Sequence, residues 1–162
     1  MNGAATWVEL PECGVVIADR PVRHADYVRF AQATGRAVPQ GAISDYVVNI
    51  GWEDAVAYCQ WLSAQGGVYR LPTLAEMIRL IALASKESPI WPCAQTLHRA
   101  GEGGPRCLAE WVSDTIADRA HMRVTFYLPW NSNEPGAEPT SVRLWSCATF
   151  RLVKLSGAVG DQ

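Results

Sequence analysis

Residues 70–77 read Arg-Leu-Pro-Thr-Leu-Ala-Glu-Met, and this short stretch carries a strong structural signal. Thr73 followed three residues later by Glu76 forms a capping box, in which each side chain bonds the backbone N–H of the other residue. The apolar residues that follow repeat at helical spacing: Met77, Leu80, Ile81 and Ala84. We therefore predict a helix over about Thr73–Ser85.

Two more helices are predicted upstream. The segment after Pro21 has four residues at helical spacing, Tyr27, Phe30, Ala31 and Thr34, and it ends at Gly35. The next helix is predicted over about Trp52–Ala64, where Gly66-Gly67 stops it. Its apolar face consists of Trp52, Ala55, Val56, Cys59 and Leu62.

Downstream of Pro89, glycine, proline and tryptophan become frequent and the apolar runs become short. Such runs are typical of short strands joined by irregular loops, and the predicted strands are Met122–Leu128, Val142–Trp145 and Phe150–Leu155. The segment Trp130–Pro139 is predicted to be a surface loop from its composition. Helices followed by strands favour the α+β class.

Composition limits the class of protein. The 162 residues suit a single domain, 1–162, and 49% apolar with 19% charged residues is typical of a globular chain. The net charge of −2 gives no basic footprint, so we expect neither nucleic acid nor a membrane surface as partner. The first twenty residues lack a signal-peptide pattern, and we expect cytoplasmic synthesis.

The five cysteines cannot all pair with one another, and no Cys-x-x-Cys occurs. This usage favours reduced thiols over a disulfide framework. Cys93, His98 and Cys107 could supply three zinc ligands, but their spacing matches no common structural zinc pattern. We therefore expect no metal site.

Three strings occur in one order along the chain: residues 51–62, which begin Gly-Trp-Glu-Asp-Ala; residues 69–76, Tyr-Arg-Leu-Pro-Thr-Leu-Ala-Glu; and residues 110–114, Glu-Trp-Val-Ser-Asp. Together they resemble the formylglycine-generating enzyme (sulfatase-modifying factor) family, a branch of the C-type-lectin-like fold. The resemblance implies an α+β domain of that subtype, with two main helices, short twisted antiparallel strands and long irregular loops. Glu110 and Asp114 are then expected to tie loops together.

The resemblance stops where that family keeps its chemistry. The family's oxidase binds copper through two cysteines four residues apart, close upstream of the closing strand, and this chain has only Cys147 there. Two thiolates are needed to hold Cu(I) in a near-linear site, so we expect no oxidase activity and no cofactor. The His-x3-His-x-Glu motif of the family's iron-dependent members does not occur either. An alternative remains open: a shortened thiol- or metal-dependent oxidase that uses Cys147.

The favoured hypothesis is that the protein is a non-catalytic binding or assembly module that recognises protein or glycan. Its expected contacts are amphipathic side chains in the irregular segments: Trp91, Trp130, Asn131, Asn133, Arg143 and Trp145. For the three tryptophans, packing in the core is an alternative. Trp52, Trp61 and Trp111, by contrast, are predicted to be core residues.

The tail 156–162 is small and glycine-rich, with little apolar surface of its own. We expect a neighbouring chain to order it, because chain ends fray unless something holds them. The protein would then be a subunit of a homo- or hetero-oligomer, with a phage virion decoration or tail protein as one setting.

Overall fold

The computed structural model describes residues 5–43, 45–83, 109–119, 122–127, 136–141 and 148–156. These residues form three α-helices, one short 3-10 helix (Pro11–Cys13) and ten strands, an α+β arrangement as the sequence predicts. The helices are α1 (His24–Thr34), α2 (Trp52–Ser63) and α3 (Leu74–Leu83). All three are of similar length, which differs from the expected two main helices.

The strands are short and form two four-stranded sheets and a two-stranded ribbon. They are β1 (Trp7–Leu10), β2 (Val15–Ala18), β3 (Ala42–Ile43), β4 (Tyr46–Val47), β5 (Tyr69–Arg70), β6 (Ala109–Thr115), β7 (Met122–Tyr127), β8 (Gly136–Ser141), β9 (Ala148–Thr149) and β10 (Val153–Leu155). The first sheet has the order β1-β2-β10-β5, the second has the order β8-β7-β6-β9, and β3 pairs with β4.

Distant parts of the chain meet in the first sheet. Strands β1 and β2 form an antiparallel hairpin, and β10 then pairs antiparallel with β2, so that Val153 faces Ile17. The other side of β10 pairs with β5, where Val153 faces Arg70. The sequence analysis predicts no strands in this region. The run Val15–Ala18 is only four residues long, and it is recognisable as a strand only when its pairing partners are known.

The second sheet includes a parallel pair of strands, which differs from the expected antiparallel pattern. Strands β6 and β9 are parallel, with Ala109 opposite Ala148 and Glu110 opposite Thr149. Strand β8 lies at the sheet edge and pairs antiparallel with β7 over six residues. The prediction of a loop through Pro139 is therefore wrong for residues 136–139. A proline is tolerated there because an edge strand has one side without ladder bonds.

The predicted closing strand, Phe150–Leu155, is shorter in the structure. Residues 150–152 form no strand but cross from the second sheet to the first, where the carbonyls of Phe150 and Leu152 accept hydrogen bonds from the N–H groups of Val22 and Ala18. The predicted strand Val142–Trp145 lies outside the described residues.

The helix ends follow local chemistry. Helix α1 ends at Gly35, whose φ of 67° is left-handed and suits glycine, and it begins after Arg23 without a side-chain cap. Helix α2 ends at Ser63, one residue before the predicted end. Helix α3 follows the predicted capping box. Within the described part of the chain, no helix is both long and apolar enough to span a membrane.

Two apolar clusters fill the interior. The larger lies around α1 and α2 and includes Tyr27, Phe30, Tyr58 and Phe150, whose rings contact one another. The smaller joins the first sheet to α3 and the second sheet through Ile17, Met77, Leu80 and Val112. Trp111 is fully buried as predicted, whereas Trp52 and Trp61 are only partly buried against the larger cluster.

Candidate functional site

The charged residues around the start of α3 bind one another. Nη1 and Nη2 of Arg70 donate to the two carboxylate oxygens of Glu76 at 2.8 and 2.7 Å. The N–H of Thr73 donates to Glu76 at 2.8 Å, and the N–H of Glu76 donates to the Thr73 hydroxyl at 3.1 Å. Burial raises the pKa of Glu76, but these bonds outweigh burial and hold the pKa below its ordinary value.

Asp114 ties this helix start to the second sheet. Its Oδ2 accepts a hydrogen bond from the N–H of Leu74 at 2.6 Å, and the N–H of Ser113 donates to the carbonyl of Pro72 at 2.8 Å. A carboxylate at the first turn of a helix satisfies a free N–H group and suits the helix dipole. Asp114 therefore has a structural role, as the sequence predicts, but it joins the start of α3 to β6 rather than one loop to another.

Glu110 has a similar role deeper in the protein. Its carboxylate accepts bonds from Nε and Nη2 of Arg151, both at 2.9 Å, and both side chains are fully buried. Nη1 of Arg151 also donates to the carbonyl of Ala18 at 3.3 Å. This arginine therefore connects β6 of the second sheet with β2 of the first.

Two tryptophans from the three family-like strings connect distant parts of the fold through hydrogen bonds from their ring N–H groups. Nε1 of Trp111 donates to the carbonyl of Ile50 at 2.7 Å, and Nε1 of Trp52 donates to the carbonyl of Val112 at 3.0 Å. The guanidinium of Arg123 lies 4.3 Å from the centre of the Trp52 ring, which is a cation–π distance. These contacts hold the start of α2 against β6.

A groove of about 430 Å³ lies between the first sheet, α1 and α2. Three arginines, Arg20, Arg23 and Arg29, and one acid, Asp26, line it. Its apolar and aromatic lining comes from Ala5, Trp7, Ala18, Pro21, Val22, Tyr58, Leu62 and Leu152. Its volume lies within the range of known ligand pockets.

The family description "Sulfatase-modifying factor enzyme 1-like domain" matches residues 14–137 of this sequence, which is most of the chain. The chain belongs to the sulfatase-modifying factor family. The matched range contains all three strings, and a search among individually curated proteins found no match. The family is normally enzymatic.

The thiols described in this sulfatase-modifying factor relative do not form the family's copper site. Cys59 is buried in α2, and burial raises its pKa to about 12, so it stays protonated and unreactive. Cys13 is exposed in the turn between β1 and β2. The sequence places Cys147 alone before the closing strand, and Cys93, Cys107 and Cys147 lie outside the described residues.

The six predicted binding residues all lie outside the described residues: Trp91, Trp130, Asn131, Asn133, Arg143 and Trp145. The same holds for Cys147 and for the three zinc candidates, Cys93, His98 and Cys107. Among the residues that the structure does describe, no group of three or more His, Cys, Asp or Glu side chains could hold a metal ion.

Sequence reasoning missed the groove. Trp7, Arg20 and Arg29 belong to none of the three strings, and they meet only because the β1–β2 hairpin packs beside α1. One signal was present: Arg20, Arg23 and Arg29 lie within ten residues of one another in a chain whose net charge is negative.

Proposed function

We propose that this sulfatase-modifying factor relative is a non-catalytic binding or assembly module. The main support is that the charged side chains of the family strings are bound to other side chains or to the backbone of the fold. Arg70 with Glu76, Glu110 with Arg151, and Asp114 with the N–H of Leu74 all join parts of the fold. Side chains held in this way serve as scaffold, and the scaffold can present loops to a ligand.

We also propose that the α+β architecture is the C-type-lectin-like fold in its formylglycine-generating-enzyme subtype, as one domain over residues 1–162. The pairing of β2 with β10 supports this, because it joins an early and a late segment in one sheet. The bridge from Arg151 to Glu110 supports it further by connecting that sheet to the second one.

The proposed ligand is a protein or a glycan, bound through the six loop residues named from the sequence. Fold analogy is the support for the class of ligand. The composition of the loops supports the site, since tryptophan, arginine and amide side chains are common in binding surfaces.

A glycan array and binding assays with purified candidate proteins test this proposal. Trp130→Ala combined with Trp145→Ala should abolish binding, because the two large aromatic surfaces are lost. Trp130→Phe combined with Trp145→Phe is the matched control and should keep much of it. Equal binding by the wild type and the alanine pair would exclude these tryptophans from the site.

The competing enzyme hypothesis has a direct assay. The protein is incubated with copper and a cysteine-containing sulfatase-motif peptide, and mass spectrometry then follows the peptide. We expect no aldehyde. Aldehyde formation that Cys147→Ser abolishes would establish the oxidase and overturn the proposed function.

Assembly is tested by light scattering of the full chain and of a chain without residues 156–162. We expect an oligomer that the truncation weakens. A stable monomer with an unchanged melting temperature after truncation would rule out this route to assembly.

A further inference from the structure

We propose that the groove between the first sheet, α1 and α2 binds a short acidic, apolar segment of a partner protein. Its carboxylates would lie near Arg29 and Arg20, and its apolar side chains would pack against Trp7 and Leu152. All residues that line the groove lie in the described part of the chain, so a test of the groove is independent of the six loop residues above.

Charge is the first reason for an acidic partner. Three arginines and one aspartate line the groove, and Asp19 binds Arg20 beside it. The arginines still outnumber the acids by one, in a chain whose net charge is −2. A positively charged patch attracts an anionic partner. Arginine is also the residue whose planar fork best matches a carboxylate.

Arg29 can reach a ligand. Its side chain is 73% exposed, and its Nη2 donates to Asp26 at 2.5 Å. An arginine has five N–H donors, so one bond to Asp26 leaves donors for a second carboxylate. An exposed pair of this kind contributes little to stability, so a ligand can compete for the guanidinium at small cost.

Arg20 also lines the groove, and an acid holds its guanidinium in place. Its Nε and Nη2 both donate to the carboxylate of Asp19 at 3.0 Å, and this bonding raises the pKa of Arg20. Asp19 also accepts the N–H of Thr6 at 2.9 Å, which fixes the position of the pair beside β1. The guanidinium is therefore oriented before a ligand arrives.

The walls of the groove favour a peptide over an acidic saccharide. Val22, Leu62 and Leu152 are aliphatic and offer no hydrogen bonds to the many hydroxyl groups of a sugar. Trp7 is a large aromatic side chain that is 38% exposed, and such side chains anchor apolar residues of a partner. In a segment that alternates acidic and apolar residues, the apolar side chains can pack against the groove walls while the carboxylates bind the arginines.

Fluorescence anisotropy with a short labelled peptide of glutamate, leucine and glycine tests the proposal. A peptide with glutamine in place of each glutamate is the comparison. We expect the glutamate peptide to bind at least about tenfold more tightly, with an affinity that falls as salt is added. Arg29→Gln and Trp7→Ala should each weaken binding by about tenfold.

Arg79→Gln is the matched control. Arg79 is similarly exposed and also pairs with an acid, Glu12, but it lines a different cavity, and its loss should leave binding unchanged. Circular dichroism verifies that each variant is folded. Equal affinity for the two peptides, or an equal effect of Arg29→Gln and Arg79→Gln, would overturn the proposal. Binding of an oligogalacturonate but not of the glutamate peptide would overturn it in favour of a saccharide.

Discussion

Glu76 shows how one side chain can fix both a loop and the start of a helix. Its carboxylate accepts bonds from the guanidinium of Arg70 and from the N–H of Thr73 while its own N–H is bound by the Thr73 hydroxyl. Only 5% of Glu76 is exposed. A carboxylate with this many donors stays charged although it is buried.

The lowered pKa of Glu76 predicts how stability depends on pH. A carboxyl whose pKa is lower in the folded state stabilises the fold above its unfolded pKa, about 4.3, and this contribution is lost as pH falls through the folded value. At pH 7 we expect Glu76→Gln to reduce the free energy of unfolding by about 2 kcal/mol. The difference from the wild type should shrink steadily below about pH 4.

Urea unfolding between pH 7 and the acid range measures this effect. Glu9→Gln is the control because Glu9 is exposed, and it should leave stability nearly unchanged at every pH. A Glu76→Gln deficit that is the same at acid and neutral pH would show that the charge of Glu76 does not matter.

At the scale of elements, α3 depends on its cap. The Thr73 hydroxyl accepts the N–H of Glu76 at 3.1 Å. Thr73→Ala should reduce the free energy of unfolding by about 1 kcal/mol because this N–H loses its partner. Thr73→Ser retains the hydroxyl and should cost clearly less. If thermal or urea unfolding finds the two variants equal, the cap hydroxyl has no role in stability.

Helices with local signals could be predicted, and strands that depend on distant partners could not. The capping box of α3 and the terminal Gly35 of α1 need only neighbouring residues to be recognised. Strand β2 is four residues long and is fixed by β10, far along the chain. Strand β8 has the composition of a loop and is a strand because β7 pairs with it.

The same distinction applies to the sites. The structural roles of Glu110 and Asp114 followed from the strings that contain them, and their bonds agree. The groove could not be predicted, because Trp7, Arg29 and Leu152 come from three separate segments that packing alone brings together. The six loop residues stay a prediction.

At the scale of the whole molecule, the buried pair of Glu110 and Arg151 joins the two larger sheets. Both partners are fully buried, so each needs the charge of the other. Removing one partner leaves an uncompensated charge in the interior, whereas removing both leaves an apolar gap that a side chain of similar volume can fill.

A double-mutant cycle tests this link. Glu110→Met and Arg151→Met should each reduce the free energy of unfolding by about 3–5 kcal/mol. The double variant should be more stable than either single variant because neither charge is then left unpaired. Urea unfolding of the four proteins gives the coupling energy. Additive losses would mean that the two side chains act independently.

The position of β10 has a consequence for synthesis on the ribosome. This strand lies between β2 and β5, and Arg151 just before it bonds Ala18, 133 residues earlier in the chain. While the polypeptide is still being made, the hairpin of β1 and β2 has no neighbour on its inner side, and that side presents free backbone groups to other nascent chains. The first sheet can close only after translation has passed Leu155, so that edge of the hairpin stays unpaired until nearly all of these residues have emerged.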